Sequence, residues 1–157
     1  MKLTFFTIFC SVIVITCAGC ATIPRDLPPI ASIHWVTYQS PTLGYRINYP
    51  DTLALKQQGD EVNFSYQGSS IFRMIFVTTA ESKRRGLWAT AQPMTAATIG
   101  GVAGQQYIYD HYDGPFYTHT IAYVIPFQDR WLGLEFRTTA STLSAVQQQM
   151  LDSFQLK

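Results

Sequence analysis

The chain has 157 residues, 47% of them hydrophobic and 13% charged, with a formal net charge of +1. That length and apolar content suit one domain with a real core. Near-neutrality excludes the strong basic excess that nucleic-acid binding shows, so no nucleic-acid partner is expected.

Met1-Lys2 is a short positive start, and Leu3 to Thr16 is uncharged and largely apolar. The run falls short of the about 20 residues a membrane-spanning helix needs and matches the core of a signal peptide. Cys17-Ala18-Gly19-Cys20 follows at once. This arrangement resembles the lipobox of bacterial lipoproteins, with Ala18 and Gly19 as the small residues before the cysteine and Cys17 at the bulky position. The resemblance implies that residues 1–19 are a cleaved signal peptide and that Cys20 carries the lipid as the first mature residue. The thiol takes the lipid, and small neighbours let the backbone enter a peptidase site. One acyl chain, at about 0.8 kcal/mol per buried methylene, binds a bilayer only marginally, whereas two or more hold firmly. Lipoproteins of this kind carry at least two. Residue 21 is Ala rather than the Asp that commonly retains such proteins at the inner membrane. The implied location is the outer membrane, facing the periplasm. Cys10 and Cys17 leave with the signal, so Cys20 is the only mature cysteine, which excludes disulfides and thiolate metal sites. No cofactor is expected.

Residues 20–40 read as a lipidated N-terminus and tether, because Pro24, Pro28 and Pro29 favour extended polyproline at about 3.1 Å per residue. Ile33 to Tyr38 is expected to dock as an early strand. Residues 41–157 form the single domain. Tyr45, Ile47 and Tyr49 alternate with Arg46 and Asn48, the period-2 pattern of a half-buried strand, and Pro50-Asp51 ends it. Leu53 and Leu55 start the next element. Val62, Phe64 and Tyr66 alternate likewise, residues 67–70 turn, and Ile71 to Thr79 is an apolar, β-branched strand. Lys83-Arg84-Arg85 reads as a solvated loop, and Leu87 to Met94 as a short helical or irregular crossover. Gln105 to His111 and Tyr117 to Phe127 are strands about a turn at Asp113-Gly114-Pro115. After Gln128-Asp129, Leu132, Leu134 and Phe136 alternate with Gly133, Glu135 and Arg137. Short turns between successive strands imply an antiparallel sheet. Leu143, Val146, Met150, Leu151 and Phe154 then fall on one helical face, with Ser141 or Thr142 as cap. The fold class is therefore α+β: an antiparallel sheet packed by a C-terminal helix.

Gly44-Tyr45-Arg46-Ile47-Asn48-Tyr49-Pro50 resembles the opening strand of PsbP-like domains, and Leu151-Asp152-Ser153-Phe154 their closing helix. Thr98 to Gly104 sits where such domains have a glycine-containing strand start. The resemblance spans roughly residues 41–157. It implies an α/β/α sandwich, and a role as a non-enzymatic accessory or binding protein.

Motifs for chemistry are sparse. There is no Gly-x-Ser-x-Gly, and Ser69, Ser70 and Ser82 lie in turn-like contexts. Gly100, Gly101 and Gly104 precede a strand rather than a helix, so they read as a bend or a close backbone approach, not a phosphate cradle. The hairpin about 113–115 brings His119 opposite residues 108–110. Asp110, His111, Asp113 and His119 are thus the candidate acid–base or metal cluster, although neighbours on a strand alternate faces. Aromatic residues make up 14% of the chain, and those on strands pack a core or line a ligand groove. Tyr107, Tyr109, Tyr117, Tyr123 and Trp131 are the candidate ligand face. Three functions follow as expectations. The first is a non-enzymatic accessory or binding lipoprotein, its partners the membrane and an envelope complex or cell-wall polymer. The second is an envelope hydrolase using Asp110, His111 and His119. The third is a carrier of an apolar ligand beneath the closing helix.

Overall fold

The computed structural model describes residues 32–78, 93–113 and 116–157. Cys20, most of the tether, Lys83-Arg84-Arg85 and the start of the 87–94 crossover lie outside these residues. Among them, ten strands and one helix occur in the order β1 (Trp35–Gln39), β2 (Tyr45–Pro50), β3 (Ala54–Gln58), β4 (Glu61–Tyr66), β5 (Ser69–Val77), β6 (Pro93–Ile99), β7 (Val102–Asp113), β8 (Phe116–Phe127), β9 (Arg130–Thr138), α1 (Ala145–Asp152) and β10 (Gln155–Leu156).

The single sheet expected from alternation is two. A seven-stranded sheet has the order β3-β4-β5-β9-β8-β7-β6, and a three-stranded sheet the order β1-β2-β10. All the pairings are antiparallel, the small sheet being built on β2 as its centre. The expected early strand is β1, which pairs with β2 from Trp35↔Pro50 to Gln39↔Arg46, so the fold takes in chain before position 41.

One face of the large sheet, here the inner face, packs against β2 and α1. Its core joins Phe64, Phe72, Met74, Leu132, Leu134 and Phe136 to Tyr45, Ile47, Met150 and Phe154. The opposite, outer face carries a second buried cluster of Ile75, Val77, Ala122 and Val124, with Tyr107 and Tyr109 against it. Two apolar faces explain why Ile121 to Ile125 runs apolar without alternation, and why Ile71 to Val77 does so apart from Arg73.

Three glycines shape the β6–β8 region. Gly100 and Gly101 take φ of 57° and 83° between the paired Ile99 and Val102, the left-handed geometry of a two-residue hairpin. At Gly104 a Cβ would come within 2.4 Å of the Val124 carbonyl oxygen, a close backbone approach that only glycine permits. The bend and the close backbone approach expected of this run are thus both present. β6 carries no sequence signature, because Met94 to Ile99 has no apolar period.

The helix begins later than expected. Ser144, not Ser141 or Thr142, is its cap: Gln147 N donates to Ser144 Oγ at 3.3 Å, and Ser144 N donates to Gln147 Oε1 at 3.0 Å. Gln147 at the third helical position completes this reciprocal box, an option the upstream hydroxyls lack. Leu143 and Phe154 therefore flank the helix rather than lie in it, while Val146, Met150 and Leu151 are buried on its inner side. The Gln147 side chain also donates to the Arg137 carbonyl at 2.8 Å, which ties the helix start to β9. Ser144→Ala removes one half of the box and is expected to cost about 1 kcal/mol, read as a lower urea midpoint at unchanged slope. A midpoint equal to that of the parent would refute the assignment.

Candidate functional site

On the outer face, β4, β5, β9, β8 and β7 each lay polar side chains toward one cleft of about 310 Å³. Its lining is Glu61, Asn63, Ser70, Arg73, Tyr109, Thr120, Glu135 and Arg137. The register explains the convergence. Arg73 pairs with Glu135, Thr120 with Arg137, and Tyr109 with Thr120, and paired residues project to the same face.

The cleft is organised around Glu135, a carboxylate only 3% exposed. Arg73 Nε donates to Glu135 Oε2 at 3.0 Å, and Arg73 Nη2 donates to the same oxygen. Glu61 Oε1 lies 3.8 Å from Arg73 Nη1 on the solvent side. Burial opposes the Arg73 charge, but Glu135, through charge and hydrogen bonding, and Glu61 outweigh it and raise the guanidinium pKa. Ser70 Oγ donates to Asn63 Oδ1 at 2.6 Å. Burial first, then the Glu135 charge and hydrogen bond, raise the Tyr109 phenol above its ordinary value of 10.0.

The same holds elsewhere for Tyr45 and Tyr123, in each case chiefly through burial, with Asp152 adding to Tyr123. The sign of the linkage is clear. Tyrosines whose folded pKa is raised contribute stability that is whole below the unfolded value of about 10 and is lost as pH rises toward the folded value. Alkaline unfolding is expected to begin above about pH 10, with these three tyrosines ionising only as the chain unfolds. Near-ultraviolet tyrosinate absorbance followed beside circular dichroism checks this. Complete tyrosine ionisation ahead of any loss of ellipticity would contradict it.

The five aromatic candidates do not share a face. Tyr107 and Tyr109 lie on the outer face. Trp131, 38% exposed, pairs with Val77 on that same side. Tyr123 belongs instead to the inner core, edge-on to Phe136 at 6.2 Å. Its neighbours Ile121 to Ile125 are apolar on both sides, so no alternation marked its direction. Tyr117 is paired with Tyr112, and its side chain lies outside the described residues.

The hairpin forms in the expected register, with Asp110↔His119. His119 Nδ1 lies 2.9 Å from Asp110 Oδ1. This cross-strand pair is one residue out of step with Tyr109 and Thr120, so it faces away from the cleft. His111 pairs with Thr118, and the side chains of His111 and Asp113 lie outside the described residues. Among the described residues, no three His, Cys, Asp or Glu side chains converge as a metal site requires. The space beneath the closing helix is filled by Met150 and Phe154, at 0% and 2% exposure. A second cleft, about 380 Å³, opens beside the helix, rimmed by Thr98, Gln148 and Asp152 as well as Leu151.

Arg73, Glu135 and Arg137 were not singled out by sequence motifs. Their signal was a charge inside an apolar strand: Arg73 within Ile71 to Val77, and Glu135 and Arg137 about Phe136. A buried strand position occupied by a charge requires a partner, and the register supplies it.

No family model and no curated protein matches the chain. Solved structures do. A crystal structure of a Bacteroides thetaiotaomicron protein superposes with a TM-score of 0.56 at 10% identity, over 77% of this chain and 48% of that one, so the chain spans about half of that protein. The solution structure of the cyanobacterial PsbP (CyanoP) of Synechocystis superposes with a TM-score of 0.52 at 13% identity, over 85% of this chain and 99% of that one. At such identities the likeness concerns the fold, and it agrees with antiparallel sheets and one closing helix. The chain has a PsbP-like α+β fold.

Proposed function

We propose that this chain is a bacterial envelope lipoprotein, anchored through Cys20 to the outer membrane, whose folded domain is a non-enzymatic accessory or binding module facing the periplasm. Ala18-Gly19-Cys20 directly after an apolar core supports the anchor. The observation that carries the binding role is the outer-face cleft, where five strands contribute polar groups organised around an ion pair whose carboxylate is buried. Such an array recognises a ligand through hydrogen bonds and charge. The PsbP-like fold is compatible with an accessory role. The Asp110–His119 pair that a hydrolase reading requires stands apart from this cleft.

The anchor is tested by growing cells on radiolabelled palmitate. The parent protein is expected to carry label and sediment with membranes, and Cys20→Ser to do neither. A labelled, membrane-bound Cys20→Ser protein rules the anchor out. Crosslinking and affinity capture from envelopes then tests the accessory role. A partner or wall polymer recovered with the parent and lost with Cys20→Ser supports it, and recovery of none counts against it.

A further inference from the structure

From the Arg137 guanidinium, which lines the outer-face cleft without a partner among the described residues, we infer that the cleft binds a small hydroxylated monocarboxylate of the sugar-acid class, with Arg137 holding the carboxylate. The inference deepens the binding-module reading and rests on it.

The cleft contains two guanidinium groups and two carboxylates. Arg73 is committed to both acids, by direct hydrogen bonds to Glu135 and by charge to Glu61. Arg137 is different. It is partly buried and lines the cleft, and among the described residues its guanidinium has no hydrogen bond or ion pair. Its carbonyl is already used by Gln147, which fixes the backbone from which the side chain departs. A planar guanidinium in a half-enclosed site presents parallel N–H donors that match a carboxylate in two-point geometry.

The rest of the lining restricts the ligand further. Glu61 and Glu135 lie on the same floor and repel any anion, so a second negative charge on the ligand would double that repulsion and a monoanion is favoured over a dianion. Thr120 is directly across from Arg137, and Tyr109 across from Thr120, so hydroxyl groups adjoin the anion position. Ser70 and Asn63, bonded to each other, offer remaining donors and acceptors on the opposite wall. Neutral polar groups beside one guanidinium that has no partner among the described residues fit a ligand with one carboxylate and several hydroxyls. The volume of about 310 Å³ accepts a single sugar ring with its carboxylate.

The test is calorimetric titration of the full-length protein in detergent micelles with D-glucuronate, D-glucose and acetate. Glucuronate is expected to bind, with glucose and acetate each at least about tenfold weaker, since each lacks one half of the recognition. Arg137→Gln is expected to weaken glucuronate by about tenfold or more while leaving the thermal midpoint near that of the parent, because among the described residues its guanidinium has no protein partner to lose. Arg46→Gln, on the other sheet, serves as the unaffected control. A glucuronate-terminated disaccharide separates the two sources of such a ligand: binding of the monosaccharide alone indicates a free sugar acid, and binding of both indicates a polymer end. No glucuronate binding at millimolar concentration overturns the inference. So does equal binding by Arg137→Gln, by glucose or by acetate. Failure of the Cys20 labelling or of partner capture bears on the anchor and the accessory role, and leaves this measurement intact.

Discussion

Arg73→Met is expected to destabilise the chain by about 3–5 kcal/mol, and Glu135→Gln by only about 1–3 kcal/mol. The asymmetry comes from burial. Glu135 has a side-chain exposure of 3%, against 35% for Arg73. Losing the arginine strands a carboxylate that water cannot reach and removes the charge that balances it, while the Tyr109 phenol beside it is neutral. Losing the carboxylate leaves a guanidinium that keeps Glu61 within 3.8 Å and is partly hydrated. Both singles disturb one pair, so their costs cannot add, and Arg73→Met/Glu135→Leu is expected to recover most of the stability. Urea unfolding of the parent, both singles and the double measures all four corners. Equal losses for the two singles would show that burial does not set the cost, and a double mutant as unstable as the sum would show that the pair is not coupled.

Much of the fold was legible because elementary periodicities are local. Tyr45, Ile47 and Tyr49 alternate strictly and became β2, the centre of the small sheet. Val62 with Phe64, and Leu132 with Leu134 and Phe136, did the same for β4 and β9. The long register of β7 with β8 followed from one turn position, which placed Asp110 opposite His119. What stayed hidden was set by tertiary structure. β10 is two residues long and exists only because β2 offers an edge to Gln155 and Leu156. The cap moved to Ser144 because Gln147 answers it from three residues on, and buries its own amide against β9. Strands apolar on both faces carry no directional signal, which is why Tyr123 was grouped with Tyr107 and Tyr109 although it packs on the other side. The cleft was least legible of all. Its charges are four strands apart in sequence, and only the order β5-β9-β8 brings Arg73, Glu135 and Thr120 onto one floor.

The two faces of β9 are coupled through one residue. Glu135 and Arg137 project outward, and Phe136 between them projects inward, with no exposure. Its ring stacks on Phe72 at 4.3 Å, and Phe72 in turn stacks on Phe64 at 5.4 Å. These rings bridge β4, β5 and β9, the strands that carry most of the cleft. Phe136→Ala removes a fully buried ring from the middle of this stack. The loss is expected to be about 3–5 kcal/mol, combining lost transfer energy with the cavity left behind. Phe136→Leu keeps most of the volume and is expected to cost less, of the order of 1–1.5 kcal/mol. Urea unfolding orders the two variants, and a loss below about 1 kcal/mol for the alanine would mean that the neighbouring rings collapse to fill the space. Because Glu135 and Arg137 share their strand with the altered position, the alanine is also expected to weaken glucuronate binding where the leucine does not. Equal binding by both would show that the outer face holds its geometry without the aromatic stack behind it.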